Sequence, residues 1–270
     1  MTARGPFHSI LAAPEMPVER AALIVALDVD PGLNVEHYLE CFDRLAEPLA
    51  ARIARAKTLH ARASILGTYM YDELGFRGDE ENYYDPRNCY LHEVFDRRRG
   101  IPVTLAVVLI ALGRRAGLEL EGVGFPGHFV VRLGGPDGLV LDPFFRARLL
   151  TSDALERIVR RTLGDAAPML PEHLGGVTTH AIVARILTNL KAIYESQHEH
   201  SRALLVCDRL VDLTGQPEAR RDRGLHALAL GARAVGRDDL EAYLAARPDA
   251  ADHERIRATL SGVRPSAPAN

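Results

Sequence analysis

Cysteine is scarce in this sequence, and its spacing suits neither of the structures that cysteines usually build. The 270 residues contain three cysteines, Cys41, Cys89 and Cys207, which lie far apart and form no C-x-x-C pair. A disulfide framework needs several cysteines, and a cysteine zinc site needs closely spaced pairs. The sequence therefore predicts neither of them.

The chain also lacks a strong charge of either sign, since its formal net charge is -3. Electrostatic binding to nucleic acid or to an acidic membrane, as a property of the whole protein, requires a marked excess of positive charge. We therefore predict that the partners include neither nucleic acid nor a membrane.

No stretch of the sequence is long and apolar enough to be a credible membrane span. The residues up to Pro17 lack the apolar run of a signal peptide. The most apolar helix candidate starts at Pro102 and is cut short by Arg114, Arg115 and Gly117. We expect a cytoplasmic protein.

Signals for a cofactor or a metal ion are weak as well. The stretch GVGFPG, residues 122–127, has no helix after it and so lacks the context of a nucleotide-binding loop. His198 and His200 would point to opposite sides of a helix, which is a poor arrangement for binding one ion. We predict no cofactor and no metal site.

What the sequence does have is one segment, residues 97–145, around which the rest is organised. Pro102 suits the first turn of a helix, because its missing N–H would be unbonded there in any case. The predicted helix, 102–117, is apolar on nearly every side, which indicates a central position in its domain. β-branched residues bounded by Gly and Pro then predict strands over 120–123, 128–133 and 139–142, with a hairpin turn at 134–138.

His128 opens the middle predicted strand and Asp142 closes its hairpin partner, so the two side chains can lie next to each other. In such a pair the carboxylate accepts a hydrogen bond from one imidazole nitrogen, and the other nitrogen faces a nucleophile or a substrate. The alternative is a structural histidine and an unrelated turn aspartate. The pattern indicates a catalytic-type pair from which the nucleophile is missing.

The order of helix, G-H-F-x-V, hairpin and L-D-P resembles the transglutaminase-like superfamily, which shares a papain-like cysteine-protease core. In that superfamily a Gly-x-Cys opens the buried helix. Gly100 matches the glycine, His128 the histidine, and Asp142 with Pro143 the aspartate-proline pair, but the cysteine position falls on Pro102. Proline has no nucleophilic atom, so the resemblance implies the fold and the His/Asp pair without the thiol mechanism.

More narrowly, the stretches 73–106, 122–132 and 141–144 resemble a bacterial family that joins a divergent transglutaminase-like domain to a tetratricopeptide-like tail. The resemblance implies an α+β fold, in which a helical N-terminal layer and a core with a small antiparallel sheet precede helical repeats. We expect a flexible lead-in at 1–17, a transglutaminase-like domain at 18–174, a tetratricopeptide-like domain at 175–261 and a disordered tail at 262–270.

Apolar periodicity predicts the helices around this core. In the first domain they cover about 18–28, 34–57, 62–74, 89–98 and 152–163, and in the tail about 180–196, 201–213, 218–235, 238–246 and 251–260. Gly224, Gly231 and Pro248 match the two small residues and the closing proline of a tetratricopeptide repeat.

Two residues are candidates for the missing nucleophile. Thr104 lies in the first turn of the buried helix, where the helix dipole favours developing negative charge. Cys89 is predicted in the first turn of another helix, where a thiol has a lowered pKa. The alternatives are a threonine that caps its own helix and a buried structural cysteine.

A polar loop, residues 76–87, precedes the core and carries the paired tyrosines Tyr83 and Tyr84. Paired tyrosines in a long loop indicate a surface binding site, and the alternative is that their rings pack the loop onto the domain. Asn88 is predicted to cap the next helix. With Phe125 and Phe129, which lie three residues before and one residue after His128, these residues make up the predicted binding set.

Two functions from different classes fit these features. The first is a non-catalytic module that binds a protein or peptide partner through its cleft and its helical repeats. The second is an acyl-transfer hydrolase in which His128, oriented by Asp142, activates Thr104, Cys89 or a water molecule. Pro102 favours the first function. A third possibility is that the core is only a scaffold and the repeats carry the function, which a filled cleft would indicate. The sequence predicts no oligomeric state.

Overall fold

The computed structural model describes residues 5–13 and 15–262. Contacts divide the chain into two compact units, Met1–Ile186 and Leu187–Asn270. This division falls inside a helix, Thr179–Ser196, and not in the connector before it, where we placed the boundary after residue 174. One continuous helix can contribute residues to two compact units, and the composition of the connector before it does not reveal a boundary inside the helix.

The first unit opens with three helices, α1 (His8–Ala12), α2 (Val18–Ala26) and α3 (Val35–Arg55). Helix α1 lies in the predicted flexible lead-in, and the structure differs there because Phe7 and Ile10 are buried. The ring of His180 also lies 2.8 Å from the Ile10 carbonyl oxygen. Tertiary contacts therefore order a segment that has no strong helical pattern of its own.

Helix α4 (Leu59–Gly67) begins three residues before the predicted start. Thr58 sets this start, since its hydroxyl accepts a hydrogen bond from the backbone N–H of Ala61 at 3.1 Å. The chain then continues through a π-helical stretch, Thr68–Glu73.

Two short strands, β1 (Arg77–Gly78) and β2 (Arg99–Gly100), pair in parallel. Between them lie a 3₁₀ turn, Pro86–Asn88, and helix α5 (Leu91–Arg97). The pairing brings the start of the polar loop next to residues 99–100, directly before the central helix.

Helix α6 (Pro102–Arg115) is the centre of this unit, and every residue from Pro102 to Gly113 is buried. Burial of each Val, Leu or Ile side chain stabilises the fold by about 1.5–3 kcal/mol. At the other end of the helix, the Arg114 guanidinium donates to the Leu120 carbonyl oxygen at 2.7 Å, which ties the helix to the sheet.

The sheet is a four-stranded antiparallel meander of β3 (Leu120–Val123), β4 (Val130–Leu133), β5 (Leu139–Asp142) and β6 (Arg148–Leu149). Val131 pairs with Leu141, so the end of β5 lies beside the start of β4. The predicted strand at 128–133 begins at Val130, because the chain turns at 126–127 and His128 follows that turn.

Helix α7 (Ser152–Leu163) packs on the sheet after β6. Its N-cap is Thr151, whose hydroxyl accepts from the backbone N–H of Ala154. Leu155 and Val159 are buried against the strand residues Val123, Val130 and Val140 and against Phe125, which follows β3. The opposite side of this amphipathic helix stays accessible.

The second unit is helical, with the end of α8 (Thr179–Ser196) followed by α9 (His200–Thr214), α10 (Pro217–Ala229), α11 (Arg233–Ala246) and α12 (His253–Gly262). The helix predicted over 218–235 is two helices here, because Gly231 adopts a positive φ of 81° between them. A Cβ atom on Gly224 would lie 3.0 Å from the Leu240 side chain, so close packing of α10 and α11 requires a small residue there.

Two sequence predictions concern the ends of the chain and the membrane. The predicted disordered tail at 262–270 lies outside the described residues except for Gly262, which ends α12. Among the helices that the structure describes, none combines the length and the hydrophobicity of a membrane span.

Candidate functional site

The structure brings His128 and Asp142 together. The Nε2 atom of His128 lies 2.9 Å from Oδ1 of Asp142. Because an ionised carboxylate only accepts hydrogen bonds, Nε2 carries the proton and donates. Nδ1 makes no hydrogen bond with any described residue, so in the neutral ring it has a lone pair for a ligand or water.

Asp142 is held rigidly by four donors. Its side chain is 0% exposed, and besides His128 it accepts from the backbone N–H groups of Phe144 and Phe145 at 3.2 and 3.4 Å. Arg148 donates to the other oxygen at 3.2 Å. Burial alone would raise the pKa of Asp142, but the His128 hydrogen bond and the Arg148 charge lower it below its usual value. Asp142 is therefore a charged group that orients the imidazole.

The pair lies in a cleft of about 720 Å³. Pro102, the first residue of α6, lines the same cleft. Aromatic rings of Tyr83, Phe144 and Phe145 also line it, together with one side of α7. The start of the buried helix and the His/Asp pair thus meet in one accessible space, as in a papain-like core, but with proline at the helix start.

Thr104 does not serve as the nucleophile in this structure. It is buried, and its hydroxyl donates to the Asn88 carbonyl oxygen at 2.7 Å and accepts from the Ile101 N–H at 3.2 Å. These bonds cap the N-terminus of α6 and tie it to the preceding 3₁₀ turn. The helix-capping alternative fits the geometry, and the nucleophile assignment is corrected on that ground.

Cys89 is no better placed. It precedes α5 and does not lie in the first turn of that helix, because Tyr90 is the N-cap. Its side chain is completely buried, and burial raises the pKa of the thiol well above its usual value. A neutral thiol without access to solvent cannot attack a substrate, so this assignment is also corrected.

Of the predicted binding residues, the two tyrosines lie at the surface. Tyr83 lines the cleft and packs edge-to-face with Phe144 at 5.9 Å between ring centroids. Tyr84 contacts the Tyr83 ring at 5.3 Å and is 66% exposed. A binding role for both stays a prediction that their positions permit.

The other three predicted binding residues are buried and present no surface to a ligand. Asn88 is fully buried at the end of the 3₁₀ turn and does not cap α5. Phe125 and Phe129 are 1% and 2% exposed. The chain turns between Phe125 and His128, so the Phe125 ring packs in the core beside Val123 and Val159 while His128 reaches the cleft.

A buried network around Asp79 was missed by the sequence reasoning. Oδ2 of Asp79 accepts from the Asn88 side-chain amide at 3.1 Å and from Arg97 at 3.4 Å, and Oδ1 accepts from the Asn82 N–H at 3.2 Å. These bonds fix the loop that carries Tyr83. Asp79 stands beside two glutamates, and nothing in the sequence distinguishes it from them.

Three arginines of the cleft were also missed, namely Arg148, Arg157 and Arg161. The last two are four residues apart in α7, so they share one helix face. That spacing was visible in the sequence, but only the fold shows that the face lines the cleft. No group of three or more His, Cys, Asp or Glu side chains among the described residues is arranged to hold a metal ion.

Comparisons with known proteins cover both units. The family model of the transglutaminase-like superfamily matches residues 36–188, and a tetratricopeptide-repeat model matches residues 190–261. No solved structure matches the chain significantly.

Curated relatives extend along most of the chain. A UPF0162 protein of Xylella fastidiosa is 38% identical over 250 residues, which cover 91% of this chain and 89% of the relative. A UPF0162 protein of Vibrio cholerae is 28% identical over 88% of this chain and 90% of the relative. The F-box only protein 21 of Mus musculus is 31% identical over 130 residues, 46% of this chain and 20% of that protein. The chain therefore belongs to the transglutaminase-like superfamily, in a bacterial branch that carries a tetratricopeptide-repeat tail.

Proposed function

We propose that this protein is a non-catalytic module that binds a protein or peptide partner through the cleft at His128 and Asp142. The observation that carries the proposal is the combination of an accessible cleft with Pro102 at the superfamily's cysteine position. The two alternative nucleophiles, Thr104 and Cys89, are both buried. The cleft thus keeps a shape suited to a substrate chain, while neither of the two predicted nucleophiles lines it.

The lining of the cleft supports a peptide as the partner. Its volume of about 720 Å³ falls within the usual range for ligand sites, roughly 300–1,000 Å³. Tyr83, Phe144 and Phe145 offer aromatic faces, and the His128 Nδ1 atom offers a polar contact. Aromatic walls with a few fixed polar groups suit the side chains and amides of an extended peptide.

The C-terminal unit offers a second surface. Tetratricopeptide repeats generally mediate protein–protein interactions, and this unit matches the repeat model. We propose that it binds a partner independently of the cleft. A cytoplasmic location remains a prediction from the sequence.

Selection from a phage-displayed library of random peptides tests the proposal. The wild type should enrich peptides that bind in the low-micromolar range or tighter, and Tyr83→Ala and Phe145→Ala should weaken them. Val29→Ala is the control, because Val29 is an exposed apolar residue between α2 and α3 that does not line the cleft. If no enriched peptide is sensitive to the cleft variants, the cleft is not a peptide-binding site.

A second function, hydrolysis by an activated water, is favoured by one observation. The pair at 2.9 Å leaves Nδ1 of His128 free to accept a proton from water in the cleft. Turnover of a fluorogenic peptide and amide library would support it, provided that the turnover disappears in His128→Ala and survives in Val29→Ala. Equal rates in wild type and His128→Ala would exclude it.

A further inference from the structure

One side of helix α7 lines the cleft and is basic. Arg157 and Arg161 line the cleft together with Ala154 and Ile158, which lie on the same helix face at i, i+3, i+4 and i+7 spacing. Leu155 and Val159, on the other face, are buried against the sheet. The packing of α7 therefore places two exposed arginine side chains along the cleft, one helical turn apart.

Neither guanidinium has a partner among the described residues. No hydrogen bond, ion pair or ring contact with a described residue involves Arg157 or Arg161. A third arginine of the same helix, Arg160, lies outside the cleft and forms an ion pair with Glu156 at 3.1 Å. The two cleft arginines thus keep all their donors for a ligand.

The rest of the cleft does not compensate their charge. Among the described residues that line the cleft, Asp142 is the one acidic residue, and it is already bound to His128 and Arg148. Arg148 in turn is held between that carboxylate and the Phe145 ring, whose centroid lies 4.4 Å away. The cleft therefore has an excess of positive charge although the whole chain has a net charge of -3.

We propose that the cleft selects a peptide with a carboxylate, and that Arg157 and Arg161 bind this carboxylate while the peptide lies against the aromatic wall. Arg pairs with a carboxylate through two parallel hydrogen bonds, which combine strength with a defined direction. The proposal specifies the ligand class of the peptide-binding function proposed above and rests on it.

An acidic peptide fits these features better than a nucleic acid. Nucleic-acid binding uses a basic surface that follows several phosphates, whereas here the uncompensated charge is limited to two side chains in one cleft. The remaining walls are aromatic and aliphatic, with Phe144, Leu150 and Ile158 among them. Such walls suit the apolar side chains next to an acidic residue.

The test compares two short fluorescein-labelled peptides by fluorescence anisotropy with the full-length protein. One alternates glutamate and phenylalanine, and the other replaces each glutamate by glutamine, which removes the charge and keeps the size. The acidic peptide should bind at least about tenfold more tightly, and its affinity should fall with added salt. The double variant Arg157→Ala/Arg161→Ala should remove this preference, whereas Arg160→Ala should keep it.

Each other outcome contradicts a defined part of the reasoning. Equal affinity for the two peptides, or an acidic preference that survives the double variant, overturns the carboxylate proposal and leaves peptide binding intact. If neither peptide binds while the displayed library still yields cleft-dependent binders, the carboxylate proposal alone fails. A library without cleft-dependent binders refutes peptide binding itself. A single-stranded oligonucleotide that displaces the acidic peptide at lower concentration than unlabelled peptide does would assign the arginines to nucleic acid.

Discussion

Replacing Pro102 with cysteine would place a thiol at the superfamily's nucleophile position. Pro102 is the first residue of α6, and its ring lines the cleft together with His128 and Asp142. A thiol at this position lies at the positive end of the helix dipole and shares a cleft with an imidazole. Both effects favour the thiolate over the thiol, and they act against the burial of position 102, which on its own would raise the pKa. We therefore expect the pKa of the introduced thiol to be lowered.

The size of the effect follows from ordinary cysteine chemistry. A free cysteine has a pKa of about 8.5, and helix N-termini with a neighbouring histidine lower it to roughly 3.5–7.5. With a pKa of about 6.5, the thiolate fraction at pH about 5.5 is about a hundredfold higher than for a free cysteine. Each thiolate of lower pKa is also a weaker nucleophile, which reduces its intrinsic alkylation rate by about eightfold. Alkylation should therefore be about tenfold faster.

The assay is the rate of iodoacetamide labelling, followed by mass spectrometry in a Cys41→Ser background. Cys41 is partly exposed and would react, whereas Cys89 and Cys207 are buried. The reference is a second variant, Val29→Cys, because Val29 is 45% exposed in the chain between α2 and α3. His128→Ala should slow the reaction of the introduced thiol and leave the reference unchanged.

Two results would refute this reasoning. The first is a thiol at position 102 that reacts no faster than the reference, which would mean that the helix start is not activated. The second is a fast reaction that does not depend on His128, which would mean that the imidazole does not lower the pKa of a thiol at position 102. Loss of the fold is not expected to confound the assay, because loss of a compatible proline costs only about 0.4–1 kcal/mol.

Three further predictions concern the supports of the cleft. Gly127 has a φ of 66°, and a Cβ atom there would lie 2.4 Å from Thr162 Oγ1. Gly127→Ala should therefore lower the free energy of unfolding, measured in urea, by about 1–3 kcal/mol. An unchanged unfolding midpoint would contradict the turn geometry. Asn88→Ala should destabilise the loop by about 1–3 kcal/mol, because Asp79 loses a buried hydrogen-bond donor. Amide hydrogen exchange in residues 79–88 should then be faster. Exchange at the wild-type rate would show that the network is dispensable. The pKa of Asp142 is lowered in the fold, so its carboxylate stabilises the protein above its unfolded pKa of 3.8, and this contribution is lost as the pH falls through the lower folded value. Asp142→Asn should flatten the acid-induced rise in amide exchange at residues 139–149, and an identical pH profile would show that Asp142 does not carry it.

Much of the fold follows from local signals that tertiary structure did not override. The all-apolar run after Pro102 forms the buried helix α6, and the segments 120–123 and 139–142 form strands as predicted. These signals are strong because proline at a helix start, glycine in a tight turn and a continuous apolar run each have few alternative conformations. The match of the family models to the two parts of the chain agrees with the α+β fold that the family resemblance implies.

Boundaries were less predictable, because they depend on capping contacts and on packing. Thr58 starts α4 earlier than its apolar pattern suggested, and Gly231 divides what looked like one helix. Residues 7–10 have weak local signals and are ordered by burial of Phe7 and Ile10. Such choices are decided by which surface is nearby, and a linear pattern does not contain that information.

The sequence by itself determined which chemistry is missing from the site, since Pro102 has no nucleophilic atom wherever the helix lies. It also indicated that His128 and Asp142 can meet, because strand order and hairpin length limit their separation. Only the tertiary structure decided which neighbours reach the cleft. It buries Thr104, Cys89, Asn88, Phe125 and Phe129 and brings Arg157 and Arg161 of α7 to the same space as His128. The physical reason is that burial and charge compensation depend on contacts between distant segments, which residue type and spacing alone do not fix.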